Sequence, residues 1–271
     1  MKNLFPVLII LLSAACDGPQ HDPAIVRAAD TTQAEVAEIP QQAEPFAVVE
    51  LFSSEGCSDC PASEEVLNKI TREAMANKTY VYPLAFHVDY WNKLGWKDVF
   101  SDSSYSNRQR KYREAFENEV VYTLQMIVNG EIEFVGSEEK KADSAINAEL
   151  KKTPSAYFTI HPNSEMTGDG KFSVDYEILK MPLQEESVTY DLCFAIVERK
   201  LETNVTRGEN KGKKLVHENV VRTFTSIELK DKKGKVMMPA LHKAPTKNHS
   251  LIAFIQNRKR MKIIGANLWN F

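Results

Sequence analysis

Two cysteines separated by two residues, Cys57 and Cys60, lie in the stretch VELFSSEGCSDCPASEEVL, residues 49 to 67, and constrain the fold more than any other feature. Such a pair serves as a redox centre, as half of a metal site or as two buried thiols, and its surroundings decide which. Upstream, FAVVELF (46–52) is a short apolar run with β-branched residues, closed by Ser53-Ser54-Glu55-Gly56, and reads as a buried strand. Downstream, Val66, Leu67, Ile70 and Ala74 recur at helical spacing, and Glu64 and Glu65 fall in an early turn where negative charge suits the helix dipole. Pro61 fits only near a helix start, where a missing amide hydrogen costs little. The order strand, tight turn, cysteine pair, helix puts Cys57 at a helix N-terminus, which favours its thiolate.

The next elements follow by the same reasoning. TYVYPLAFHVD reads as a strand and YWNKLGWKDVFSD as a loop with two tryptophans. Ser103 or Ser104 is placed to cap a helix in which Tyr105, Tyr112 and Phe116 share a face. VYTLQMIVNGEIEFVG gives two strands around Asn129-Gly130, a hairpin signal. A helix from about Glu138 to Lys152 carries Ala142, Ala145, Ile146 and Leu150 on one side. The order βαβαββα, with CxxC between the first strand and first helix, predicts an α/β thioredoxin-like domain over 45–154.

The phrases ELFSSEGCSDCP, AFHVDYWNKLGWKDVF, VYTLQMIVNG and RGENKGKKLVHENVVR (207–222) resemble the bacterial secreted thioredoxin-like family catalogued as a domain of unknown function. The resemblance covers nearly all of the chain after residue 44 and implies a thioredoxin-like domain with a redox role. Where that family carries proline after the threonine, this chain has Thr123-Leu124. The proline is normally cis and presents the threonine backbone to a substrate peptide. A cis bond before a non-proline residue costs about 2.5–4 kcal/mol, so Thr123-Leu124 is expected trans, with the groove beside Cys57 reshaped.

His87-Val88-Asp89-Tyr90-Trp91 follows the strand that would neighbour the one feeding the cysteines, and parallel neighbours end at the same edge. Alternation sends His87 and Asp89 to one side, toward the pair, with Trp91 and Trp96 as walls. Bland readings stand beside this: a histidine at a strand end is often a local hydrogen-bonder, and tryptophans under a loop are often core. From Ala156 onward helical periods largely disappear. YFTI, KFSVDYEIL, TYDLCFAIVE, NVVRTFTSIEL, LIAFIQN and KIIGANLW supply strands for a β-sandwich-like, all-β domain over 155–271. The link 200–217 contains RGENKGKK and reads as a solvated hairpin loop; the alternative is a lid over the CxxC edge, with Arg207, His217 or Arg222 reaching it.

The N-terminus sets the compartment. MKNLFPVLIILLSAAC combines one lysine with an apolar run from Leu4 to Leu12, far short of the about 20 residues that span a bilayer, and reads as an export signal. Leu12-Ser13-Ala14-Ala15-Cys16 resembles a bacterial lipobox, which implies lipidation at Cys16 and a membrane-anchored protein facing the periplasm or cell exterior. Cleavage at an ordinary Ala-x-Ala-type site is the alternative. Residues 17–44 have no sustained apolar period and read as a disordered tether, with an r.m.s. reach of roughly 30 Å. The rest is ordinary, 43% hydrophobic with net charge −3, and lacks the basic stripe that nucleic acid would require. With Cys16 lipidated, three cysteines remain, and Cys193 reads as a small buried hydrophobe.

The leading functional expectation is a cell-envelope thiol-disulfide oxidoreductase without a cofactor, acting on a protein or small-thiol disulfide. Cys57 would attack and Cys60 would resolve. Asp59 and Glu55 oppose thiolate formation and lean the pair toward a reductase or isomerase supplied by an envelope electron donor. One alternative is copper(I) or zinc bound by Cys57, Cys60 and His87, since thiolates suit soft ions. Another is a redox-inert binding module.

Overall fold

Alternation along β1 (Ala47–Ser53) sets the layers. Every residue of this strand is buried, Ala47, Val49 and Leu51 on one face and Val48, Glu50 and Phe52 on the other, so both faces must be covered. Helix α1 (Cys60–Asn77) brings Val66, Leu67, Ile70 and Ala74 to the first face, where α3 (Glu139–Glu149) adds Ala142, Ala145 and Ile146. Helix α2 (Ser103–Ala115) covers the other face with Tyr105 and Tyr112. Its N-cap is Asp102, whose side chain accepts from Ser104 N, rather than Ser103 or Ser104. The computed structural model describes residues 44–163, 166–167, 169–182, 188–239, 241 and 245–271. The export signal, Cys16 and the tether fall outside the described residues.

The remaining elements are β2 (Val81–His87), β3 (Gln125–Val128), β4 (Ile132–Val135), β5 (Tyr157–Pro162), β6 (Phe172–Lys180), β7 (Tyr190–Glu198), β8 (Leu201–Asn204), β9 (Lys214–His217), β10 (Val220–Glu228), β11 (Lys233–Met238), β12 (His249–Asn257) and β13 (Ile263–Asn270). Eight of them form one mixed sheet in the order β13-β12-β7-β10-β2-β1-β3-β4. β1 and β2 run parallel with Ser53 opposite His87, and β10 joins β2 in parallel at Val220 and Ala85. The strands β11-β6-β5 form a second sheet, and β8-β9 a two-stranded ribbon. Asn129 and Gly130, both at positive φ (48° and 68°), turn the β3-β4 hairpin. Gly130 has no substitute there, because a Cβ would sit 1.9 Å from the Met261 carbonyl oxygen.

This architecture overturns the expected fold class, an α/β thioredoxin-like domain followed by an all-β domain. The molecule is mostly sheet, with three α-helices among the described residues, and its largest sheet runs through both halves of the chain. One core shows why: Phe52, Phe86 and Tyr112 from the first half pack with Val197, Val221 and Phe254 from the second. The outer edge of β2 is closed by the later strand, with Ala85 N donating to Asn219 O (3.0 Å) and Asn219 Nδ2 donating to Pro83 O (3.0 Å). Residue alternation reports which face of a strand is buried but not whether its edge is free.

A buried ion pair ties α2 to this core. Arg108 donates Nε–H to Glu50 Oε2 (2.6 Å) and NH2 to Glu50 Oε1 (2.8 Å), and Tyr112 OH also bonds Glu50. The guanidinium lies over the rings of Phe224 (4.7 Å), Tyr112 (5.2 Å), Phe254 (5.3 Å) and Phe86 (5.5 Å). Burial alone would weaken the Arg108 charge, but the Glu50 carboxylate outweighs it and holds the group protonated. At the start of β3, the Thr123–Leu124 bond is trans and Leu124 has φ +60°. Leu124 N donates to Phe52 O (2.9 Å) and Leu124 O accepts from Gly136 N (2.6 Å), which hold a left-handed conformation that costs a β-carbon-bearing residue roughly 1–2 kcal/mol.

Glu50→Gln is expected to lower unfolding free energy by about 3–5 kcal/mol in urea denaturation, because it strands a buried guanidinium, and an E50M/R108M double variant is expected to recover much of that loss. Leu124→Gly is expected to stay within about 1 kcal/mol of the parent, since relief of the left-handed conformation offsets lost packing. Leu124→Pro removes the amide bonded to Phe52 and demands φ near about −65°, so it is expected to cost well over about 1 kcal/mol by the same measurement.

Candidate functional site

Parallel pairing brings the C-terminal ends of β1 and β2 to one edge, and the chain leaves β1 there through Ser54-Glu55-Gly56 into the cysteine pair. Cys57 and Cys60 form a disulfide with Cα atoms 5.4 Å apart. Cys60 is the first residue of α1, followed by Pro61, whereas Cys57 sits in the turn before it, its N–H on Ser54 O (3.2 Å). Asp59, the exposed N-cap, makes no side-chain cap bond. Cys57 is thus not at the helix start, and it is 3% exposed against 0% for Cys60.

Three walls enclose the disulfide. Thr123 Oγ1 donates to Cys57 Sγ (3.5 Å) and accepts from Trp91 Nε1 (3.1 Å), so the residue before Leu124 touches the sulfur through its side chain. Trp96 donates Nε1–H to Glu55 Oε2 (2.8 Å), on the turn that leads into Cys57. The third wall is the loop between β8 and β9. Asn210, itself buried, donates its amide to both Glu55 O and Cys57 O (2.8 Å each), and Glu209 Oε2 accepts from Ser58 N (3.1 Å). The charged link is thus a hairpin loop whose residues are mostly exposed, as expected, and which also touches the CxxC edge through Asn210 and Glu209. Of the residues proposed for that role, His217 is buried against Glu55 and Glu64, Arg222 lies over the Phe100 ring (5.1 Å), and Arg207 is exposed.

Below the disulfide is a buried charged cluster. His87 Nδ1 pairs with Asp98 Oδ2 (2.7 Å), and Asp98 also accepts from Glu55 N (2.8 Å) and Phe100 N (2.9 Å). His217 Nδ1 pairs with Glu64 Oε2, and its Nε2 lies 3.2 Å from Glu55 Oε1. Ser53 Oγ donates to the other Glu64 oxygen (2.5 Å). The two imidazoles meet edge to face, 5.2 Å between centroids, with Phe100 against both. Burial opposes the charge on His217, but Glu64 and Glu55 outweigh it and push its pKa up to about 10. Burial likewise works against Glu64, and His217 overcomes it and holds the carboxyl below its usual range. The same balance, with Asp98 as partner, raises His87 and lowers Asp98.

The sequence reading and the structure part at several residues. His87 reaches the site, but Asp89 does not accompany it: its carboxylate accepts from Ser106 Oγ (2.5 Å) on α2, and Asp98 takes the place beside the imidazole. Glu64, read as a dipole-complementing charge, is a buried partner of His217. Asp98, Asn210 and Glu209 were not singled out in advance, and Glu64 was not placed in the site. Asp98 lies in KDVF and Glu64 four residues after Cys60 on the same helix, one turn along the same face, which is the one signal that pointed to it. Cys193 is free and buried as expected, and burial pushes its thiol up to about 12.

Among solved structures, a structural-genomics protein from Agrobacterium tumefaciens is 25% identical, with a TM-score of 0.59 over 85% of this chain and 96% of that one. HBP35 of Porphyromonas gingivalis shares the fold at 13% identity, with a TM-score of 0.58 over 85% of this chain and 76% of that one. No curated protein matches the chain. Residues 48–256 match the family described as Protein of unknown function (DUF1223), a span that holds the cysteine pair, its covering loop and His217 together. The chain belongs to the DUF1223 family.

Proposed function

We propose that the protein is a thiol-disulfide oxidoreductase of the cell envelope, anchored through Cys16, in which Cys57 and Cys60 carry the electrons. The observation that carries this reading is the disulfide itself, formed across CxxC at the edge where two parallel strands end, with the Thr123 hydroxyl on Cys57 and Cys60 fully buried. In the reduced protein the Cys57 thiolate attacks one sulfur of a substrate disulfide. A Cys57–substrate S–S bond forms, the substrate S–S bond breaks, and the departing sulfur leaves as thiolate and takes a proton. Cys60, as thiolate, then attacks Cys57 Sγ, closes the disulfide and releases the second substrate thiol. The substrate gains two electrons and two protons, and an envelope dithiol donor restores the pair.

The proposed direction is reduction or isomerisation. Glu55, which from sequence opposes the Cys57 thiolate, is engaged by Trp96 and His217, so burial takes over that role. Withdrawing both sulfurs from water disfavours thiolate and therefore the dithiol state near neutral pH. Burial under Asn210 and Glu209 also supports a second reading, a redox-inert disulfide that fastens β1 to α1, and the same experiments separate the two.

Equilibration of the full chain with glutathione buffers is expected to give reversible two-electron titration, with a potential nearer about −270 mV than about −120 mV. A pair that stays oxidised in strongly reducing buffer sinks the enzymatic reading in favour of the inert one. Asn210→Ala removes two hydrogen bonds from the covering loop, each worth about 0.5–1.5 kcal/mol, and is expected to speed reduction of the disulfide by dithiothreitol about tenfold. An unchanged rate, with circular dichroism intact, would show that the loop does not control access.

A further inference from the structure

Behind the disulfide, three segments far apart in the chain deliver Glu64 from α1, His87 from the end of β2 and His217 from the end of β9 to one buried spot. Each offers a ligand atom there within 4.8 Å of the others. The ring nitrogens determine what this spot can hold. His87 directs Nδ1 to Asp98, and its Nε2, fully buried, has no hydrogen-bond partner. A carboxylate behind the far nitrogen is the arrangement that orients metal-ligating histidines and fixes their tautomer. Asp98 is fixed in turn by the backbone N–H groups of Glu55 and Phe100. Glu55 Oε1 and His217 Nε2 lie 3.2 Å apart as an ion pair, outside hydrogen-bond geometry. Buried polar atoms are rarely left without a partner, and the far nitrogen of His87 calls for one.

Charge favours the same partner. Glu55, Glu64 and Asp98 set three carboxylates against two imidazoles in a region closed to solvent. A divalent ion balances them without requiring both rings to be charged.

We propose that Glu64, His87 and His217 bind a divalent first-row transition ion, with Asp98 as the positioning residue behind His87. Two nitrogens and a carboxylate oxygen suit zinc and iron(II) better than soft copper(I). The site differs from one built on Cys57, Cys60 and His87, because both sulfurs are held in the disulfide and His87 is directed to Asp98. It does not depend on the redox reading. Closed on all sides, the ion would be structural, pinning β9 and its loop to α1 and β2.

The test is equilibrium dialysis of the chelator-treated, oxidised full chain against zinc chloride, with cobalt(II) as a spectroscopic substitute. A single equivalent of zinc is expected, retained in C57S/C60S and lost in His217→Gln and Glu64→Gln. The cobalt form is expected to show ligand-field bands without thiolate charge transfer. Asp98→Asn is expected to weaken zinc binding about 10–100-fold while leaving the stoichiometry unchanged. Substoichiometric zinc in the wild type, a thiolate band with cobalt, or binding that survives H217Q but not C57S/C60S would overturn the proposal. Should H217Q or E64Q fail to fold, the stoichiometry and cobalt spectrum of the wild type still decide it.

Discussion

The pairing of β10 with β2 is the constraint on which the rest of the molecule depends. A strand buried on both faces and flanked on one side by β1 still has backbone groups along its other edge, and burying them unpaired is costly. Asn219 and Val220 meet this need at Pro83 and Ala85. Once β10 is there, the residues just before it have nowhere to go but across the end of the sheet. Glu218 N donates to Asn68 Oδ1 and Asn68 Nδ2 donates to Val216 O, which holds β9 along α1. His217 and the loop that covers the disulfide are thus consequences of how one sheet edge is closed.

The buried charged centres around Arg108 and around His217 are built differently. Around Arg108, a single cation meets a bidentate carboxylate, a ring of aromatic faces and the Gln256 amide, and its hydrogen-bonding groups are used. That centre is complete, and it joins β1, α2 and β12 in the shared core. Around His217, several acids and bases crowd together and some of their atoms lack partners. Completeness suits a structural tie, whereas unfinished bonding marks a place where something else belongs or where protons and charge must move.

Much of this was legible in the sequence, because periodicity records burial. FAVVELF, the helix after the cysteines and the Asn129-Gly130 hairpin all formed within a few residues of where their patterns placed them. What the pattern could not carry was long-range pairing. The strand candidates of both halves were correctly read as strands, yet nothing in alternation says that β2 would accept a partner from beyond residue 200, and two separate folds were inferred where one sheet forms. The site suffered the same limit. His87 was found because it ends a strand, but Asp89 was sent to the same side by alternation that stops where the strand stops. Asp98, Asn210 and His217 come from loops and a short ribbon, where polar identity has no period to betray its orientation.

The Asn210 amide and the Cys57 carbonyl it holds are separated by 153 residues. In a chain synthesised from its N-terminus, the two cysteines emerge long before their cover does. At synthesis rates of roughly 5–20 residues per second, the pair spends on the order of ten seconds in the open. Any oxidant or partner can reach both sulfurs in that interval, and a bond made then follows rules of access different from those of the finished molecule, where Asn210 holds the Cys57 carbonyl.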